Sequence, residues 1–316
     1  MGFYTKNSSL IGVKTAVSKT GVFDTISNQL FGDALYEFTN ATFTPGGQGG
    51  RFGPSLATAK TGITSSGSTT WVADTTYFNV TATGIMLWKV PAAATYRIEV
   101  WGARGGSGNG TYLGGYGARM RGDFALDPGA ILKILVGQSG GLSYGGGGGM
   151  TAVATSADVP LIVAGGGNTA SPWSGVFSHA VTTTAGVASS SYGSGGVDGG
   201  GGQGGNNMPG GAGFTGNGGA SSCASSVVPL SFINGGTGGA TCNSIGGFGG
   251  GSGSDGCCQG ASGPGGGYSG GGAGSGSSVW GGAGGSYNIG SNQSNEAGNV
   301  GTAVLAGNGK CIITKL

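Results

Sequence analysis

The nine residues TYRIEVWGA, Thr95–Ala103, decide the fold class. Tyr96, Ile98 and Val100 fall on one face of an extended chain, and Arg97, Glu99 and Trp101 on the other. That is the period of two of a half-buried strand. Outward from this strand further β-structure is legible. ARMRGDFAL (118–126), the turn pair Pro128 and Gly129, and AILKILVG (130–137) read as a hairpin-like pair, because Pro presets one turn angle and Gly accepts positive φ. VPLIVAGGG (159–167) reads as a buried strand and KCIITKL (310–316) as a closing strand. β-structure is therefore expected across 36–136, with no sustained helical periodicity beyond a turn near 28–34.

Glycine divides the chain. Of 80 glycines in 316 residues, 12 lie in residues 1–100 and 68 in 101–316. Collagen is excluded, since it needs Gly at every third position and abundant Pro. Here Pro numbers 9 and the glycines come in runs such as Gly145–Gly149. Disorder fits poorly, because disordered chains are charged and poor in aromatics. This one is 8% charged, 37% hydrophobic, and carries 5 Trp, 10 Tyr and 12 Phe. Runs such as GGVDGGGGQGGNN (195–207) have neither helical nor strand periodicity. Physical chemistry suggests polyproline II segments, which make no internal hydrogen bonds and so pair with neighbouring backbones. Only Gly lets such backbones approach on all sides. Phe214, Phe248, Tyr268, Trp280 and Tyr287 are expected to cap this bundle or wedge it against the sheets.

Several blocks also resemble a known family in their order along the chain. They include FTNATFTPGGQGGRFGPS (38–55), GIMLWKVPAAATYRIEVWGARGG (84–106), GGYGARMRGDFAL (114–126), GGFGGG (246–251), GGGYSGGGAG (265–274) and GGSYNIGSNQSN (284–295). Together they resemble the glycine-rich domain of the anaplastic lymphoma kinase ectodomain and, more closely, glycine-rich proteins of bacteria and tailed bacteriophages. The resemblance implies a mainly β fold with almost no α-helix: a β-sandwich-like framework enclosing a bundle of polyglycine II helices. It implies scaffolding without catalysis or cofactor. It also implies a disulfide bracketing GGFGGG, from Cys242 to Cys258 or Cys257. Residues 7–33, NSSLIGVKTAVSKTGVFDTISNQLFGD, are similar to the starts of phage tail-fibre-like virion proteins.

The expected organisation is an attachment-like segment, 1–37, and a glycine-rich domain, 38–316. The latter divides into a β framework (38–137), a polyglycine-rich core with loops (138–300) and a closing strand (301–316). The expected role is a non-catalytic virion protein, a tail-fibre or tail-tip component contacting the host surface. The alternatives are an architectural self-assembling virion subunit, such as a capsid decoration, or a secreted bacterial surface protein. Expected partners are further copies of the chain, other virion proteins through 1–37, and a host surface glycan or protein. No run approaches the ~18 apolar residues of a membrane helix, and no secretory signal is legible at the start, so membrane insertion is not expected. A net charge of +2 argues against a nucleic-acid surface.

Chemical motifs are sparse. GxGxxG matches are expected by chance at this glycine density, and no strand-to-helix context supports a dinucleotide site. Five cysteines and one histidine lack zinc-ligand spacing. His179 reads as a surface histidine and Arg121-Gly122-Asp123 as part of a strand. Tyr112, Tyr116, Tyr144, Trp173 and Tyr192 lie among Gly and Ser, a composition suited to adaptable recognition surfaces. They are candidate recognition residues, or else packing plugs.

Overall fold

The computed structural model describes residues 34–108, 112–141, 145–171, 175–223, 225–254, 262–276, 279–298 and 307–316. Of the segment 1–37, only 34–37 are among them.

The described chain is mainly β, with two antiparallel sheets. Its strands are β1 (Asn40–Phe43), β2 (Ile63–Ser66), β3 (Phe78–Val80), β4 (Met86–Lys89), β5 (Ala94–Trp101), β6 (Arg119–Leu126), β7 (Ile131–Leu135), β8 (Thr151–Thr155), β9 (Pro160–Ala164), β10 (Tyr287–Asn288) and β11 (Lys310–Lys315). One sheet has the order β2-β1-β11-β5-β6 and the other β10-β9-β8-β7-β4-β3. The closing strand β11 is central, between β1 and β5, so the last residues complete the first sheet.

Two short helices were not legible in the sequence: α1 (Leu56–Thr61) and α2 (Thr70–Ala73). Ser55 caps α1, its Oγ accepting from the Thr58 N–H at 3.2 Å, which satisfies one of the orphan donors of the first turn. α2 buries Trp71 against Phe43 and Phe78, with ring centroids 6.2 Å away in each case.

The alternation in β5 is realised: Tyr96, Ile98 and Val100 are all buried. They join one apolar cluster with Phe43 and Ile313 of the same sheet and with Trp88, Leu132, Ile134, Val153 and Ile162 of the other. Aromatic pairs such as Trp88–Tyr96, 5.8 Å and edge-on, cross between the sheets.

The expected pairing of β6 with β7 is corrected. β6 pairs with β5, whereas β7 pairs with β4 and β8. Turn chemistry was read correctly, since Gly129 has φ +80° and the Ala130 N–H donates to Asp127. The turn crosses between sheets instead of folding within one. Met120 and Phe124 on one side of it and Leu132 and Ile134 on the other enter the same cluster, and that shared burial sets the direction.

The six-stranded sheet is covered on its second face as well. Leu135, Met150, Ala152, Ala154 and Val163 pack with Phe214, Phe232 and Phe248, and Tyr268 and Tyr287 lie against them. Phe214, Phe232, Phe248 and Tyr268 come from the glycine-rich region and wedge it onto the sheet, whereas Tyr287 belongs to β10 of the sheet itself. Trp280 is partly buried and stands outside this cluster.

From 165 to 286 the described residues form no strand and only one 3₁₀ turn, Phe232–Asn234. Their backbones nonetheless pair extensively. The segment 263–267 donates from Gly265 to Gly282, from Gly266 to Gly148 and from Gly267 to Ala212. Its carbonyls accept from Thr169, Ser252, Gly271 and Gly166. It thus bonds to six surrounding segments, near 148, 166–169, 212, 252, 271 and 282. A Cβ on Gly265 would collide with the carbonyl oxygen of Gly166, and one on Gly271 with that of Gly282. Along 193–208, residues 193, 196, 199, 202, 205 and 208 are buried while those between are at least partly exposed.

Candidate functional site

Two chain connections leave the sheets and meet side by side. One runs from β5 to β6, and its arms pair through Gly102 N–H to Ala118 O and Gly105 N–H to Gly115 O. The other leaves β9 and returns past Ser178. They are joined by Gly115 N–H to Asn168 O and Ala180 N–H to Tyr116 O. Gly115 is required here for space, because a Cβ would collide with the carbonyl oxygen of Ser178. Asn168, fully buried, fixes the second connection: its Oδ1 accepts from the Ser178 N–H at 2.6 Å and its Nδ2 donates to Gly281 O at 2.8 Å.

This junction brings a row of rings together. The Arg104 guanidinium lies 4.4 Å from the Tyr116 ring centroid. Tyr116 stacks on His179 at 5.4 Å and 25°, and Phe177 meets His179 edge-on at 5.1 Å. Tyr112 lies over Gly175, where an added Cβ would come 2.7 Å from its ring. The row is open to solvent: Tyr112 is 41% exposed, Leu113 57%, and Val176 and Phe177 39% each. Four large exposed apolar side chains on two adjoining connections exceed the scattered single residues normal for a surface.

The histidine is oriented by the backbone. His179 Nδ1 accepts from the Tyr116 N–H at 2.9 Å, so the neutral ring carries its proton on Nε2. Burial against the flanking rings, and then the Arg104 charge, hold His179 below the ordinary histidine range.

The sequence-predicted residues distribute unevenly. Tyr112 and Tyr116 are in this junction. Tyr192 is 54% exposed on a separate turn, where its N–H donates to Ser189 Oγ. Tyr144 and Trp173 lie outside the described residues. Cys242 is disulfide-bonded; Cys257 and Cys258 lie outside the described residues. Leu113, Val176, Phe177 and His179 were not read as site residues, because nothing local marks two connections separated by some 60 positions as neighbours. His179, read as a surface histidine, is exposed but tied into the ring row.

The basic residues of the framework are largely committed elsewhere. Arg97 holds Asp123 bidentately at 2.8 and 2.9 Å, and Arg119 pairs with Glu99 and Glu296. Asp123 is buried and also accepts from Asn292 Nδ2 at 3.0 Å, so Arg121-Gly122-Asp123 is part of the framework. Arg104 donates its Nε to Gly114 O and forms no ion pair among the described residues. Among the described residues no cluster of three His, Cys, Asp or Glu could hold a metal, and no helix is long and apolar enough to cross a membrane. No protein-family model matches the chain.

Proposed function

We propose that this chain is a non-catalytic virion structural protein, a phage tail-fibre or tail-tip component that contacts the host surface through loops on a polyglycine scaffold. The carrying observation is the ring row of Tyr112, Tyr116, Phe177 and His179, exposed at all but the half-buried Tyr116 and held by two connections that glycine locks together. In this reading the two sheets form a β-sandwich-like framework and the glycine segments are polyglycine II helices. The six hydrogen-bonded neighbours around 263–267 support it, since that helix makes no internal hydrogen bonds and must pair laterally. Residues 1–37 attach the protein to other virion proteins, the chain self-associates, and its place is the virion. Host contact is with a surface glycan or protein.

An architectural subunit is the second reading, favoured by exposed apolar side chains outside the ring row, Phe52 at 60% and Val197 at 62%. Binding to bacterial cells, competition with infection, and immunogold position on virions separate the two. The tail-tip reading expects cell binding, reduced infection and labelling at a tail end. Regular filaments or rings without cell binding overturn it in favour of the architectural subunit, and labelling of uninfected cell surfaces overturns both.

A further inference from the structure

We infer that the row formed by Arg104, Tyr116, His179 and Phe177, flanked by Tyr112, is a binding site for a saccharide bearing a carboxylate. The inference rests on the host-contact reading and names the ligand class that this surface fits.

The rings supply the first argument. Exposed aromatic faces match the apolar C–H faces of pyranose rings, and aromatics with polar tips add hydroxyl hydrogen bonds at low ordering cost. Tyr112 and Phe177 are exposed for stacking. Tyr116 is braced between Arg104 and His179, so little side-chain freedom remains to be lost on binding.

The polar groups supply the second. Because the backbone N–H of Tyr116 occupies His179 Nδ1, the Nε2–H on the other side of the ring is a fixed donor for a sugar oxygen. Charge supplies the third. Arg97 and Arg119 are matched by Asp123, Glu99 and Glu296, while Arg104 forms no ion pair among the described residues. A guanidinium whose Nη atoms donate no hydrogen bond among the described residues, beside a ring stack, favours a planar carboxylate, which it can take bidentately. Extended nucleic acid is disfavoured at a net charge of +2. An acidic peptide is the rival that the experiment must separate.

His179 is the chain's single histidine, so its imidazole resonances report on this site without ambiguity. Short oligosaccharides containing uronic or sialic acid are titrated into the full-length protein. The expected result is saturable shifts of the His179 ring signals and an upward movement of its pKa, because a bound anion favours imidazolium. Carboxyl-reduced analogues should bind about tenfold more weakly, on the order of 1.4 kcal/mol. Arg104→Gln should remove that preference for the acid, and Phe177→Ala should weaken acidic and reduced sugars alike with an unchanged melting temperature. Absence of any His179 response to acidic saccharides, or an equal response to an acidic peptide, overturns the inference. Cell binding that survives both substitutions sinks this site while leaving the host-contact reading intact. Saccharide binding by a protein that adheres to no cell does the reverse.

Discussion

β5 and the segment 263–267 both satisfy their backbones through neighbouring chain, yet they do so in different dimensions. β5 pairs with β6 and β11 in one plane and leaves its two faces to side chains, Tyr96, Ile98 and Val100 on the buried one. The segment 263–267 bonds to six neighbouring segments, and Pro264 is its one residue with a side chain. The sheets therefore cohere by filling the space between them, and the glycine segments by having nothing there to fill it. Ordering glycine costs roughly 0.5–1 kcal/mol per residue more than ordering alanine, and buried amides left unpaired would cost more still. Dense lateral pairing makes such segments tenable.

Substitutions that change volume in opposite directions separate these two kinds of packing. Trp88→Ala empties a buried site between the sheets and should cost about 4 kcal/mol. Gly265→Ala adds one methyl group where the Gly166 carbonyl stands and should cost about 3 kcal/mol. Both are read from urea or thermal unfolding. A Gly265→Ala protein within ~0.5 kcal/mol of the parent, the range of an ordinary surface substitution, would contradict packing by backbone contact.

A smaller effect tests how the sheet edge is tied to the glycine-rich region. Asp123, on β6, is held below the usual carboxylate range first by its hydrogen bonds to Arg97 and then by Asn292, and Asn292 belongs to the segment following β10. A depressed folded-state pKa contributes stability at pH above the unfolded value near 3.9, and this is lost as pH falls through the folded value. Unfolding measured from pH 7 to pH 2 should show that loss in the parent. The Asp123→Asn protein should be less stable at pH 7 and should lose less on acidification below about pH 4. Equal slopes in the two proteins would remove Asp123 as a contributor.

The two regions also differ in what their sequence reveals. Side-chain alternation made β5 legible, because burial on one face writes a period of two; β6 and β7 were marked by the turn residues between them, β9 by an apolar run and β11 by a short β-branched stretch. Partners were less legible. Whether the chain turns within a sheet after Leu126 or crosses to the other depends on where Leu132 and Ile134 find their cluster, and local turn residues are the same in both cases. In the glycine segments the pattern carries almost nothing, since a residue without a side chain cannot record which side is buried. Segment 193–208 is a partial exception: its buried positions recur every three residues, although the sequence alone reads as an irregular mixture. The candidate site was half legible for the same reason. Tyr112 and Tyr116 stood out as aromatics among glycines, whereas Phe177 and His179 join them through tertiary contacts such as Ala180 N–H to Tyr116 O and Tyr116 N–H to His179 Nδ1.

The smallest effects separate three roles of glycine that composition treats as one. Gly265 is needed for space. Gly129 is needed for conformation: at φ +80° with nothing within 4 Å of an added Cβ, Gly129→Ala should cost about 1 kcal/mol through left-handed strain alone. Gly49 is needed for neither, because it is exposed, its Cβ would meet nothing within 4 Å, and its φ is outside the left-handed range. Gly49→Ala should therefore be neutral or stabilising by about 0.5 kcal/mol, since alanine restricts the unfolded chain. Measured together by thermal unfolding, the three alanine substitutions should rank Gly265, Gly129, Gly49 in decreasing cost. A flat series would mean that chain entropy governs all three positions, and the contrast between sheet and glycine segment would lose its physical basis.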